Sequence, residues 1–172
     1  DGAPLPSPIR DVLDPRKLQR GIRLLVFGAV AILAGLFLRR SERYEIPVGD
    51  PSLAPYYPGG TIVMVDELDG DDALETGWDV VYAMEREGQL YARFGRVRAL
   101  PGDAVGERNG ELTVNGQGLK PRIRVDRVMG PVPEGAVLIL PVIDQVSNYP
   151  DSRELGFIPR TQVRARIIAR VN

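Results

Sequence analysis

Few side chains in this sequence can do nucleophilic or metal chemistry. The 172 residues include no cysteine and no histidine, which excludes Ser-His and Cys-His catalysis, thiolate zinc sites, imidazole metal ligation and haem attachment. The only two lysines are Lys17 and Lys120. Arginine is abundant, but its guanidinium stays protonated in proteins and cannot act as a base. Few candidates for an activating base therefore remain.

A run of acidic side chains is the only other group whose chemistry suggests a ligand. The run consists of Asp66, Glu67, Asp69, Asp71, Asp72 and Glu75. Its spacing does not match a calcium-binding EF-hand loop, and a solvated acidic loop is the preferred interpretation. With 22 basic and 23 acidic residues, the net charge of −1 does not indicate a nucleic-acid partner. We therefore predict no metal, no cofactor and no nucleic acid.

The N-terminal part of the chain reads as a tail followed by an anchor. Residues 1–14 are rich in proline, which favours an extended tail, and Asp14-Pro15 is a typical helix start. Residues 24–38 carry no charge and are bracketed by arginines. We predict a transmembrane helix over residues 15–41, although an uncharged run of this length spans only about 22 Å of a hydrocarbon core roughly 30 Å thick.

Two other interpretations of this helix remain open. Apolar runs of this size are also typical of buried core helices. A cleaved signal peptide is less consistent with the sequence, since the run ends in Arg39-Arg40 instead of small residues. A modest excess of basic residues before the run favours an N-terminus inside the cell and a C-terminal domain outside.

The rest of the chain, residues 44–172, has the pattern of short β-strands. Strands are predicted at 61–66, 79–85, 89–99, 111–115 and 136–142, separated by Gly, Pro and Asp clusters. Asn109-Gly110 indicates a hairpin. Apolar and arginine residues alternate from Gln162 to Val171, which predicts a half-buried antiparallel strand. The domain is therefore predicted to be mainly β.

Five segments, in order, resemble the conserved boxes of bacterial type I signal peptidase, the membrane-anchored serine protease that removes signal peptides from exported proteins. They are Asp50-Pro51-Ser52-Leu53-Ala54-Pro55, Gly77-Trp78-Asp79-Val80-Val81-Tyr82, Arg96-Val97-Arg98-Ala99-Leu100-Pro101-Gly102-Asp103, Gly110-Glu111-Leu112-Thr113-Val114-Asn115-Gly116 and Asp151-Ser152-Arg153-Glu154-Leu155-Gly156. The resemblance implies a signal-peptidase-like antiparallel β domain on a single N-terminal transmembrane helix.

The resemblance also implies where catalytic residues would lie. Ser52 falls on the nucleophile, and the general-base lysine, which precedes the arginine of the third box, falls on Gly95. The serine that orients that lysine becomes Tyr149, and the oxyanion-stabilising hydroxyl becomes Asp50. A glycine cannot take a proton from Ser52. We therefore expect no catalytic residues, with Ser52 a vestigial nucleophile and Gly95 a lost base position.

Other positions of the boxes have structural or binding interpretations. Asp144, Asp151 and Arg153 are retained and are explained by a buried charge pair and a turn. The family presses an apolar face near the nucleophile box into the membrane surface, and the resemblance places Leu53, Tyr56 and Tyr57 there. These three residues are predicted to contact the membrane or a partner protein.

The function predicted from the sequence is that of a noncatalytic accessory or structural subunit of a larger bacterial membrane complex. Its expected partners are the lipid bilayer and other membrane proteins, with the helix crossing the inner membrane and the β domain in the periplasm. Two alternatives stay open. One is an active signal peptidase with an unconventional base, and the other is a pseudoprotease that binds signal peptides without cutting them.

Overall fold

The computed structural model of the protein describes residues 15–70, 72–124, 128–144 and 149–171. The chain divides into two units, Asp1–Arg40 and Ser41–Asn172. The tail predicted over residues 1–14 lies outside the described residues.

The first unit contains one long helix, α1, over Pro15–Arg40. It begins at Pro15 and ends at Arg40, one residue before the end predicted from the sequence. Most of its large apolar side chains are highly exposed, among them Leu24, Leu25 and Phe27 at 73%, 76% and 70%. Over the residues that the structure describes, no helix has the length and apolar character needed to cross a membrane. The transmembrane role of α1 stays a prediction.

The second unit is built from short antiparallel strands, as the sequence predicts. In chain order these are β1 Ser41–Glu45, β2 Ile62–Glu67, β3 Asp79–Arg86, β4 Gln89–Ala99, β5 Ala104–Arg108, β6 Glu111–Val114, β7 Gln117–Gly118, β8 Gly130–Pro131, β9 Ala136–Leu140, β10 Ile158–Pro159 and β11 Val163–Arg170. A short helix, α2, covers Ser152–Leu155, and a 3-10 turn covers Arg160–Gln162. The unit is thus mainly β.

Within the residues that the structure describes, the strands form two sheets. The larger has seven strands in the order β1-β2-β11-β3-β4-β9-β10, and the smaller has four in the order β7-β6-β5-β8. Strands β3 and β4 form a long hairpin, and β4 then pairs with β9, with Arg96 opposite Leu140. This pairing brings residues that are distant in the chain to the centre of the larger sheet.

The turn at Asn109-Gly110 forms the predicted hairpin between β5 and β6. The two residues have φ angles of 55° and 78°, and positive φ at both central positions is the mirror-image turn that matches strand twist. The glycine and the asparagine tolerate this conformation better than other residues do. The turn therefore fixes the register in which Arg108 faces Glu111.

Both faces of the larger sheet are covered by apolar side chains. One cluster contains Leu53, Val63, Val65 and Phe94, and another contains Val80, Tyr82, Val97 and Ile139. Strand β9 is the most buried, since Val137, Leu138, Ile139 and Leu140 are each at most 1% exposed. Each such side chain contributes about 1.5–3 kcal/mol on burial, so β9 is a rigid backing for the strands beside it.

Candidate active site

Ser52 lies in a turn between β1 and β2 and is held through its own backbone. Its amide donates to Asp50 Oδ1 at 2.9 Å, and its carbonyl accepts from the amide of Val142 at 2.7 Å. The residue is 7% exposed. The next residue, Leu53, is fully buried and packs into the core, which anchors the turn. The turn therefore presents Ser52 in one position.

Asp50 places a carboxylate beside this serine. The residue is only 2% exposed, and its second oxygen, Oδ2, has no hydrogen-bond partner among the described residues. Acyl transfer at Ser52 would create an oxyanion, which enzymes stabilise with hydrogen-bond donors. A carboxylate is itself negative and would repel that oxyanion. Asp50 therefore holds the serine in place and disfavours developing negative charge nearby.

Gly95 has no room for a side chain. It lies in β4 opposite Val80, and a Cβ added to it would lie 2.5 Å from Ile139 Cγ2 and 3.3 Å from the carbonyl oxygen of Leu140. Carbon atoms in contact normally stay about 3.5–4.0 Å apart. Ile139 is fully buried and cannot swing into solvent. The space beside position 95 is therefore filled by β9.

Ser52 and Gly95 both contact residues 139–142. Ser52 bonds to Val142, which follows β9 closely, while Gly95 abuts Ile139 and Leu140 within it. The structure thus brings the two predicted positions to residues 139–142.

The two lysines lie in different units of the chain. Lys17 lies in α1 of the other unit. Lys120 lines a cavity beside the smaller sheet together with Arg108 and Arg122. Among the described side chains, which include Lys120 but not Lys17, no hydrogen bond joins a lysine to Ser52. Ser52 therefore has a fixed backbone and, within the described side chains, no lysine amine bonded to it.

Arg93, two residues before Gly95 in β4, lies close to aromatic side chains. The guanidinium of Arg93 lies 5.4 Å from the ring centre of Tyr91 and 5.1 Å from that of Tyr149. The hydroxyl of the buried Tyr82 donates to the carbonyl of Pro150 at 3.1 Å. Burial above all, and then the negative charge of Asp151, raise the pKa of Tyr82. Tyr82 therefore acts as a neutral donor that ties the segment at Pro150 to β3.

Arg153 was predicted to form a buried charge pair, and it forms a partly buried network with two carboxylates. It donates to Asp151 Oδ2 at 2.8 Å and to Asp144 Oδ1 at 2.9 Å. The hydrogen bond to Asp151 raises the pKa of Arg153, although burial acts to lower it. Asp151 also caps α2 by accepting from the Arg153 amide. These residues hold the chain on both sides of Tyr149 and have a structural role.

Comparison with known proteins identifies the family. The model of the family "Signal peptidase, peptidase S26" matches residues 20–172. This chain belongs to that family. The chain is also similar to Signal peptidase I of Bacillus caldolyticus, with 26% identity over 171 residues, covering 88% of this chain and 91% of the relative. The signal-peptidase-like prediction is confirmed.

The three residues of this signal peptidase family member that were predicted to contact a membrane or partner differ in exposure. Leu53 is fully buried, so it lies in the core and not on a contact surface. Tyr56 is 58% exposed, and its ring lies 5.2 Å from the Arg96 guanidinium. Tyr57 is half-buried against the core. Tyr56 is therefore the one of the three that is well placed to contact a membrane or partner.

Arg96 is itself fixed. It makes two hydrogen bonds to Asp79, at 2.7 and 2.8 Å, which raise its pKa. The Arg96–Asp79 pair joins β3 to β4. It also holds the Arg96 guanidinium in place over the ring of Tyr56.

Two contacts of the site were not predicted: the packing of Ile139 against Gly95 and the hydrogen bond from Tyr82 to the Pro150 carbonyl. Nothing local to Ile139 marks it as the residue that fills the base position, because its proximity to Gly95 depends on the β4–β9 register. Tyr82 lies two residues after Val80 in a predicted strand, so both side chains lie on the same face of the sheet. This spacing was the signal that could have placed Tyr82 in the core.

Proposed function

We propose that this member of the signal peptidase family is noncatalytic and serves as a binding or structural module of a bacterial membrane complex. The observation that supports this most directly is Gly95: the base position lacks a side chain, and Ile139 occupies the space a side chain would need. Serine nucleophiles need a base within hydrogen-bond reach, and loss of one member of such a unit costs on the order of 10⁶ in rate.

The expected result is an absence of serine-dependent proteolysis. The purified full chain is incubated with a preprotein, in parallel with its Ser52→Ala variant and with an active signal peptidase that shows the preprotein is cleavable. We expect the same residual cleavage by both forms of this chain. Cleavage that disappears with Ser52→Ala refutes the proposal.

The second candidate is an active signal peptidase with an unconventional base. It is favoured by Ser52, which is retained and held in one position by hydrogen bonds to its amide and carbonyl. It predicts Ser52-dependent cleavage with a pH profile that reveals the base. The same assay therefore separates the two candidates.

A pseudoprotease that holds signal peptides is the third candidate. It predicts that nascent exported proteins crosslink to the β unit without being cleaved. A structural subunit instead predicts that the chain co-purifies in fixed stoichiometry with one set of membrane proteins. Quantifying both in the same membrane preparation distinguishes a transient binder from a permanent subunit.

We further propose that α1 attaches the protein to the inner membrane, with its N-terminus cytoplasmic and the β unit periplasmic. The support is the exposure of Leu25 and Phe27 on a stretch without charges. Polar substitution of both residues is expected to release the protein from membranes on alkaline extraction. The matched control is Leu90→Gln, which changes an apolar residue 71% exposed on the β3–β4 hairpin. Equal retention of both variants contradicts this attachment.

A further inference from the structure

The smaller sheet carries a polar cavity that the proposed function does not use. The cavity has a volume of about 390 Å³ and lies beside β6 and the loop after β7. Its lining includes Arg108, Asn109, Glu111, Thr113, Lys120 and Arg122. This volume lies within the range of small-molecule sites, roughly 300–1,000 Å³. The space is therefore sufficient for a small polar ligand.

The wall that carries Lys120 is held by backbone hydrogen bonds. The amide of Leu112 donates to Ile123 at 2.8 Å, and the amide of Leu119 donates to Leu112 at 3.3 Å. Arg98 donates to the carbonyl of Lys120 at 3.3 Å. Ile123 is fully buried and anchors the loop in the core. The backbone that carries Lys120 is thus held in place, which lowers the entropy cost of binding at this residue.

The charges in this cavity do not balance. Three cations line it against one carboxylate, and that carboxylate, Glu111, already accepts from Arg122 at 3.1 Å. Arg108 and Lys120 form no ion pair with any residue that the structure describes. The whole chain has a net charge of −1, so a local excess of positive charge stands out from its surroundings.

We propose that this cavity binds a phosphate group. A phosphate carries several acceptor oxygens, which suit two or three cationic groups together with the Asn109 amide and the Thr113 hydroxyl. A carboxylate offers only two oxygens and one charge, so it would use fewer of these donors. The group can belong to a free phosphate compound or to a phospholipid headgroup. The proposal does not depend on whether the protein is catalytic.

The test measures binding of two probes to the full chain. One probe is inorganic phosphate, and the other is a pair of vesicle preparations, phosphatidylcholine with and without phosphatidylglycerol. Lys120→Gln and Arg108→Gln are each expected to weaken phosphate binding, or the gain due to phosphatidylglycerol, about fivefold. Glu111→Gln is expected to tighten binding, because it removes the opposing charge. The control is Arg86→Gln, an exposed arginine on the β3–β4 hairpin.

The outcomes separate the two sources of phosphate. Saturable binding of inorganic phosphate with these variant effects supports a soluble ligand. A response only to phosphatidylglycerol, lost with Lys120→Gln, supports a lipid headgroup. Absence of both responses overturns the proposal, as does a Lys120→Gln effect no larger than that of Arg86→Gln. Thermal unfolding of each variant verifies that it is folded. Because no proteolysis is measured, the result is independent of the proposed function.

Discussion

Substitution of Gly95 by alanine tests the steric basis of the proposed loss of catalysis. The added methyl would lie 2.5 Å from Ile139 Cγ2, so the two groups must separate by about 1 Å to reach normal contact. Overpacking of this kind costs about 1–3 kcal/mol. In a domain of this size, about 2 kcal/mol corresponds to a fall of roughly 5–10 °C in the unfolding temperature. Circular dichroism of the full chain measures this shift.

A matched control and a second substitution isolate the contact. Gly118→Ala adds a methyl to a strand where nothing lies within 4 Å, and we expect no loss of stability. In an Ile139→Ala background the obstructing methyl is gone, so Gly95→Ala should cost much less there than in the wild type. If Gly95→Ala is as stable as the wild type, position 95 has room for a side chain and the steric reasoning fails.

Three further predictions concern the hydrogen bonds of β3. Asp79→Asn removes the charged partner of Arg96 and should lower the free energy of unfolding by about 1.5–3 kcal/mol, while the exposed control Glu87→Gln should leave it unchanged in urea denaturation. Tyr82→Phe leaves the Pro150 carbonyl without its donor and should cost about 1–2 kcal/mol; an unchanged unfolding temperature would contradict that contact. The folded protein keeps Tyr82 protonated above pH 10, where the unfolded chain releases the proton, so stability should fall as pH rises beyond about 10 and fall less in Tyr82→Phe.

The strands could be predicted where local patterns specify them. The alternation from Val163 onward became β11, with Val163, Ala165 and Ile167 buried. The predicted strand over 89–99 became β4 with the same bounds. The first strand was not predicted, because its sequence Ser41–Glu45 has no apolar alternation. Its pairing with β2, Tyr44 opposite Val63, comes from tertiary structure and not from propensity.

The candidate site could be predicted only as far as residue identity goes. The box pattern placed Ser52, Gly95 and Asp50, because it depends on order along the chain. It could not show that Leu53 is in the core or that Ile139 fills the base position. Those facts depend on which strands pair and in which register, and a shift of one residue would turn Ile139 to the other face.

On the proposed noncatalytic function, the packing of Ile139 against Gly95 means that proteolysis could be regained only through several substitutions. A lysine at position 95 alone would have to displace a buried branched side chain, and Asp50 would still oppose the reaction beside Ser52. Restoration thus requires coordinated changes on two strands and a turn, and the first of them is expected to be harmful by itself. On that proposal, no single substitution is expected to give this scaffold proteolytic activity, whereas its exposed surface can change without affecting the packing of β4 on β9.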